Sequence, residues 1–126
     1  MGKLTTHVLN VAAGIPAAGM RIELRPVAAT SSGGVEPTPA PPPIAIAQTN
    51  SDGRCPTPLL EGAAFRTGRY TLTFHVAAYF RALGHELPEP PFLDEVVIAF
   101  GIADAHRDYH VPLLASPWSY STYRGS

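Results

Sequence analysis

Met20-Arg21-Ile22-Glu23-Leu24-Arg25 alternates apolar and charged residues without a break. In an extended chain Met20, Ile22 and Leu24 then share one face, and Arg21, Glu23 and Arg25 share the other. That is the pattern of a half-buried strand, and it recurs in both directions along the chain. Arg69-Tyr70-Thr71-Leu72-Thr73-Phe74-His75-Val76 puts Tyr70, Leu72, Phe74 and Val76 on one side, and Thr67-Gly68 announces its start. Thr5-Thr6-His7-Val8-Leu9-Asn10 reads as a third strand, closed by Ala13-Gly14-Ile15-Pro16.

The remaining runs complete an all-β pattern of short strands separated by turn residues. Ile44 to Thr49 is a short strand that enters Asn50-Ser51-Asp52-Gly53-Arg54, where Asp-Gly signals a tight turn and leaves Arg54 just beyond it. Leu93 to Gly101 carries the continuously apolar Val97-Ile98-Ala99-Phe100 and is expected to be buried on both faces or nearly so. Asp108 to Leu114 and Trp118 to Tyr123 are the last two strands. Pro112 has no N–H to offer a ladder, so it is expected at a sheet edge or a bulge. The one helical candidate is Ala78-Tyr79-Phe80-Arg81-Ala82-Leu83-Gly84, with Tyr79, Phe80 and Leu83 as its apolar stripe and Gly84 as a C-terminal cap. Five of the fourteen prolines fall between Ala28 and Pro43, after Ser31-Ser32-Gly33-Gly34, and no face there is apolar. This stretch reads as a loop.

A length of 126 residues suits one domain, here spanning 1–126 with the Pro-rich loop at about 28–43. Nine Lys plus Arg against ten Asp plus Glu leave a formal charge of −1, which gives no basic field for a phosphate backbone and argues against a nucleic-acid partner. Cys55 is the single cysteine, so no intrachain disulfide is possible, and it reads as a small packed residue rather than a nucleophile. No apolar run approaches the roughly 18 residues of a membrane span, and the first residues lack the apolar core of a signal peptide. A cytoplasmic protein is the expectation. The final Arg124-Gly125-Ser126 is not a Ser-Lys-Leu type of peroxisomal address, although that compartment stays open. The short myristoylation pattern from Gly2 to Thr6 reads as a chance match, because it runs into a strand.

Five histidines, His7, His75, His85, His106 and His110, show no metal-ligand spacing apart from His106 and His110, which straddle a turn; a zinc site is weakly supported and no metal is expected. There is no Gly-x-Ser-x-Gly turn, no glycine-rich phosphate loop and no pair of carboxylates on adjacent strands. A lone strand histidine is more often structural than catalytic, Arg54 alone reads as a surface turn residue, and Tyr123 alone as an interface aromatic.

Taken together, four stretches change that reading: Leu4-Thr5-Thr6-His7-Val8-Leu9-Asn10, Asp52-Gly53-Arg54, Tyr109-His110-Val111-Pro112-Leu113-Leu114, and the terminal Tyr120-Ser121-Thr122-Tyr123-Arg124-Gly125-Ser126. They resemble the signatures of the 5-hydroxyisourate hydrolase family, relatives of transthyretin, and the terminal Tyr-Arg-Gly-Ser is the most discriminating because transthyretin proper lacks it. The resemblance extends over nearly the whole chain through Gly68 to Phe74 and Tyr79-Phe80. Two departures stand out: Asn10 where the family usually has Asp, and a longer Pro-rich stretch. The resemblance implies a transthyretin-like β-sandwich of seven to eight strands with one short helix, assembled as a homotetramer, a dimer of dimers, with sites at the subunit interface. It implies hydrolysis of 5-hydroxyisourate to 2-oxo-4-hydroxy-4-carboxy-5-ureidoimidazoline in urate breakdown, without a cofactor. The catalytic residues it implies are His7, Arg54, His110 and Ser126, with His7, Arg54 and Tyr123 binding substrate.

That chemistry suits those residue types. A histidine titrating near neutrality can take the proton of an attacking water, either His7 or His110 here, and Arg54 can oppose negative charge growing on a carbonyl oxygen. A nearby arginine would also lower a histidine's pKa and keep it a base. Two rivals are a carrier of an apolar aromatic ligand and an assembly module using the sandwich alone. A channel for an apolar ligand should not keep several charged or titratable groups, and neither rival accounts for the terminal motif.

Overall fold

The run around Met20 forms the expected strand, and its apolar face is sealed: Met20, Ile22 and Leu24 are 1%, 0% and 0% exposed. The computed structural model describes residues 2–27 and 41–125. Within them the strands are β1 (Lys3–Asn10), β2 (Ile15–Pro16), β3 (Arg21–Pro26), β4 (Ala45–Gln48), β5 (Leu60–Glu61), β6 (Gly68–Phe74), β7 (Val96–Ile102), β8 (Tyr109–Ala115) and β9 (Tyr120–Thr122). One helix, α1 (Val76–Ala82), and a single 3-10 turn at Gly62–Ala64 complete the elements. Of the expected Pro-rich loop, residues 28–40 lie outside the described residues.

Two sheets form the sandwich. One runs β2-β1-β8-β9, with β5 also paired to β1, and the other runs β4-β3-β6-β7. All pairings are antiparallel except β1 with β8, which is parallel and joins the first strand to the penultimate one. Leu4 and Val8 of β1, Val111 and Leu113 of β8, Ile22 and Leu24 of β3, and Leu72 and Phe74 of β6 meet in one core. Burying each such side chain contributes about 1.5–3 kcal/mol, so the alternation seen in sequence is also the main source of stability. The all-β transthyretin-like expectation holds.

Four local expectations are corrected. β7 has one covered face: Val97, Ala99 and Gly101 are exposed on its outer face, while Ile98 and Phe100 are partly buried between the fully buried Val96 and Ile102. Its continuous apolar run therefore does not mean burial on both sides. Val76 opens α1 instead of closing β6; the helix buries Val76, Ala77, Tyr79 and Phe80, while Leu83 is half exposed. Glu23, on the polar face of β3, is buried, because Arg21, Arg25 and His75 gather on its carboxylate.

Pro112 sits in β8, an interior strand, not at an edge. Its carbonyl accepts the Thr122 hydroxyl at 2.7 Å, so its backbone polar groups face β9. The β8–β9 ladder runs from Ala115↔Tyr120 to Leu113↔Thr122 and returns in the same register at His110↔Gly125. The missing N–H thus falls where the ladder lapses, and the Thr122 side chain serves the carbonyl there.

Asn10 ends β1 fully buried, its amide nitrogen 3.2 Å from the Tyr79 hydroxyl as donor and its amide oxygen accepting the Ala13 N–H at 3.1 Å. The departure to Asn keeps this turn contact with a neutral group, which needs no counter-charge in the core.

Candidate active site

The Asn50–Arg54 turn is built by its own side chain and by a glycine. The Asn50 amide oxygen accepts the N–H groups of Asp52 and Arg54 at 2.9 and 3.2 Å. Gly53 has φ +75°, and its carbonyl accepts the Val8 N–H at 2.8 Å. A Cβ there would strike the Val8 carbonyl oxygen, so only glycine lets the turn lie against β1. The result is an antiparallel bridge between His7 and Arg54.

His7 occupies the half-buried outer face of β1 with Thr5 and Leu9, while Leu4, Thr6, Val8 and Asn10 face the core. Its Nε2 lies 2.9 Å from the Asp52 carbonyl oxygen. A carbonyl only accepts, so Nε2 carries the hydrogen and neutral His7 keeps Nδ1 unprotonated.

The parallel register sets Thr5 opposite His110 and His7 opposite Pro112, which brings both histidines to the same outer face. His110 Nδ1 is 2.8 Å from the Thr5 hydroxyl oxygen. On its other side the Gly125 N–H donates to the His110 carbonyl at 2.8 Å, and a Cβ on residue 125 would come within 2.5 Å of His110 Cδ2. The preceding Arg124 stacks its guanidinium 4.3 Å above the Tyr109 ring. The terminal strap therefore lies directly on the residues around His110.

Electrostatics single out His110. Burial, then the positive charge of Arg54, then His7 push its pKa below the usual imidazole value of 6.5. The arginine effect was expected; the larger contribution of burial was not legible in sequence. Arg54 is exposed and lines a cleft of about 120 Å³ with Thr5, Thr6, Cys55 and Thr57. Cys55 packs half-buried against the core and burial raises its thiol pKa, which suits a packed rather than reactive cysteine.

His7, Arg54 and His110 are thus brought together. Tyr123 lies 60% exposed along a different groove of about 400 Å³, lined also by Ile98, Phe100, Val111 and Arg124. Ser126 is outside the described residues. Among the described residues no three His, Cys, Asp or Glu side chains gather as metal ligands, and no helix is long and apolar enough to cross a membrane. Sequence reading missed Thr5, the Asp52 carbonyl and Gly125 as neighbours of the histidines. Thr5 alone left a signal, since it shares the alternating face of His7.

The sequence profile of the HIUase/Transthyretin family matches residues 4–125. The chain belongs to this family. It is 52% identical over 126 residues to a 5-hydroxyisourate hydrolase of Ralstonia nicotianae, covering 100% of both chains. Among solved structures it is similar to (S)-allantoin synthase, with a TM-score of 0.86 and 42% identity over 99% of this chain, which spans 44% of that longer one. It also superposes on 5-hydroxyisourate hydrolase of Klebsiella pneumoniae with a TM-score of 0.76 at 31% identity, covering 100% of both chains. The resemblance carried by the four sequence stretches is therefore a true membership, and within the family the full-length relatives named here are hydrolases.

Proposed function

We propose that this chain hydrolyses 5-hydroxyisourate to 2-oxo-4-hydroxy-4-carboxy-5-ureidoimidazoline in urate breakdown, with His110 as general base and no cofactor. The observation that carries the reading is the gathering of His7, Arg54 and His110 on one outer sheet face, in a chain half identical to a relative of that name. Each histidine has one ring nitrogen engaged, Nε2 of His7 by the Asp52 carbonyl and Nδ1 of His110 by Thr5, and what favours His110 as the base is its electrostatic setting. A depressed pKa keeps His110 neutral at pH 7, ready to accept a proton.

In this mechanism a water oxygen bonds to the ring acyl carbon as its proton passes to His110, and the carbonyl electron pair moves onto oxygen. Arg54 opposes that negative charge with a guanidinium that cannot deprotonate. Collapse re-forms the carbonyl and breaks the ring C–N bond, and the imidazolium returns the proton to the leaving nitrogen. His7 and Tyr123 orient the substrate, and Ser126 completes the terminal motif. A positioned base is typically worth about 10²- to 10⁴-fold.

The chain further assembles as a homotetramer, a dimer of dimers, with sites at a subunit interface. This is supported by the outer edges of β7 and β9, which pair with no further strand among the described residues, and by the exposure of Val97 on β7 and of Trp118, Tyr120 and Tyr123 in and around β9, 53%, 66%, 46% and 60%. Sedimentation of the purified chain tests the assembly. For the reaction, protein added to freshly oxidised urate accelerates loss of the intermediate's absorbance, and His7→Ala or Arg54→Ala removes most of the acceleration. Unchanged rates in both variants would reject the site; tight aromatic binding with no hydrolysis would make the chain a carrier.

A further inference from the structure

We propose that Thr5 is a positioning residue that sets the tautomer of His110, holding the proton on Nδ1 so that Nε2 is the basic nitrogen. The inference rests on the hydrolase reading above and extends it to a residue that contacts the base. Thr5 and His110 are 105 residues apart yet stand directly opposite one another in the parallel β1–β8 pairing, with the hydroxyl oxygen 2.8 Å from Nδ1.

A hydroxyl can donate or accept, so the direction must come from its surroundings. Thr5 also lines the cleft beside Arg54, where its own hydrogen can be given to water or substrate. Its oxygen is then free to accept Nδ1–H. With Nδ1–H taken by the threonine oxygen, the unprotonated nitrogen is Nε2. The ring is also held in place: Thr5 grips Nδ1 on one side, and Gly125 packs against Cδ2 on the other. A ring flip would exchange Nδ1 for Cδ2 at the threonine, losing the hydrogen bond, and would push Nδ1 against Gly125. Two neighbours from opposite ends of the chain thus specify one rotamer and one tautomer, which is how a histidine base is usually kept competent.

The test joins spectroscopy to kinetics on the full chain. Nitrogen-15 shifts of His110 in the neutral form should show Nδ1 protonated and Nε2 unprotonated. Thr5→Val, which keeps the shape and removes the hydroxyl, should move the population toward Nε2–H. It should also lower kcat about 10-fold with KM changed less than about twofold, a fraction of what a general base contributes. Thr5→Ser should restore both the tautomer and kcat, which a packing role alone would not predict. An unprotonated Nδ1 in the unaltered protein, or full kcat in Thr5→Val, would overturn the inference. A protein inert toward 5-hydroxyisourate that nevertheless shows the Nδ1–H tautomer, lost in Thr5→Val, would overturn the hydrolase reading and uphold the role of Thr5 in fixing the ring.

Discussion

His7 and Arg54 face each other across a single antiparallel bridge, one residue beyond the glycine whose carbonyl accepts the Val8 N–H. The arginine is therefore placed by β1 itself, through the same strand that carries the histidine. Its position depends on how closely the Asn50–Arg54 turn can approach that strand.

Gly53→Ala tests this dependence. The substitution forces a side chain onto φ +75° and into the Val8 carbonyl, so the turn must lift from β1. The expected cost is about 1–3 kcal/mol of stability, read by chemical denaturation. Turnover should fall further than stability explains, because Arg54 moves with the turn.

His110 should titrate below 6.5 in an NMR pH series. Arg54→Gln removes one of the charges that disfavour its protonation, so its midpoint should rise toward 6.5. For the unaltered enzyme the sign is that the base is lost as pH falls through the depressed value. The acid limb of kcat/KM should therefore lie below the pH at which a free imidazole titrates. A midpoint unmoved by Arg54→Gln would show that the guanidinium does not reach the ring.

Gly125→Ala places a methyl group against Cδ2 of His110 and must displace either the strap or the ring. Turnover should drop about 10- to 100-fold, within the contribution of a positioned base. Thermal stability should change little, since the core is untouched. Wild-type turnover in this variant would mean that the strap yields without disturbing the histidine.

Glu23 anchors the opposite sheet. Bonds from Arg21 and His75, with help from Arg25, lower its pKa from 4.5 to about 2. A depressed carboxylate contributes stability above its unfolded pKa, and that contribution is lost as pH falls from 4.5 through about 2. Glu23→Gln should lower stability at neutral pH and flatten its decline across that acid window, as followed by denaturation at a series of pH values.

Tyr79→Phe removes the hydroxyl that accepts from the buried Asn10 amide. An unsatisfied buried donor costs about 1–3 kcal/mol, so the variant should unfold at correspondingly lower denaturant. An unchanged midpoint would mean that the amide finds another acceptor.

Much of the fold was legible because side-chain alternation reports directly on which face is buried. Met20, Ile22, Leu24, Leu72 and Phe74 all proved to be core. The failures fall where local pattern does not say what packs against a segment. The apolar run of β7 suggested two covered faces, yet nothing among the described residues covers the outer face that carries Val97. Pro112 suggested an edge or a bulge, yet lies inside a sheet in unbroken register, because the ladder to β9 lapses beside it and Thr122 serves its carbonyl. The charged face of β3 suggested exposure, yet Glu23 is buried by partners from its own strand and from His75, which lies 52 residues away. Site residues were legible as motifs, not as geometry: His7, Arg54 and His110 were identified together, while Thr5 was passed over.

By itself the sequence determined the strand character of the runs, the sharp turn that precedes Arg54 and the membership carried by the four stretches, because these depend on local side-chain chemistry and order. Only the tertiary structure decided that Thr5 meets His110 and that Gly125 closes over the same ring. Those contacts follow from the parallel register of β1 on β8 and the antiparallel register of the terminus on β8. Register is chosen by packing two sheets around a shared core, a property of the whole chain that no single segment encodes.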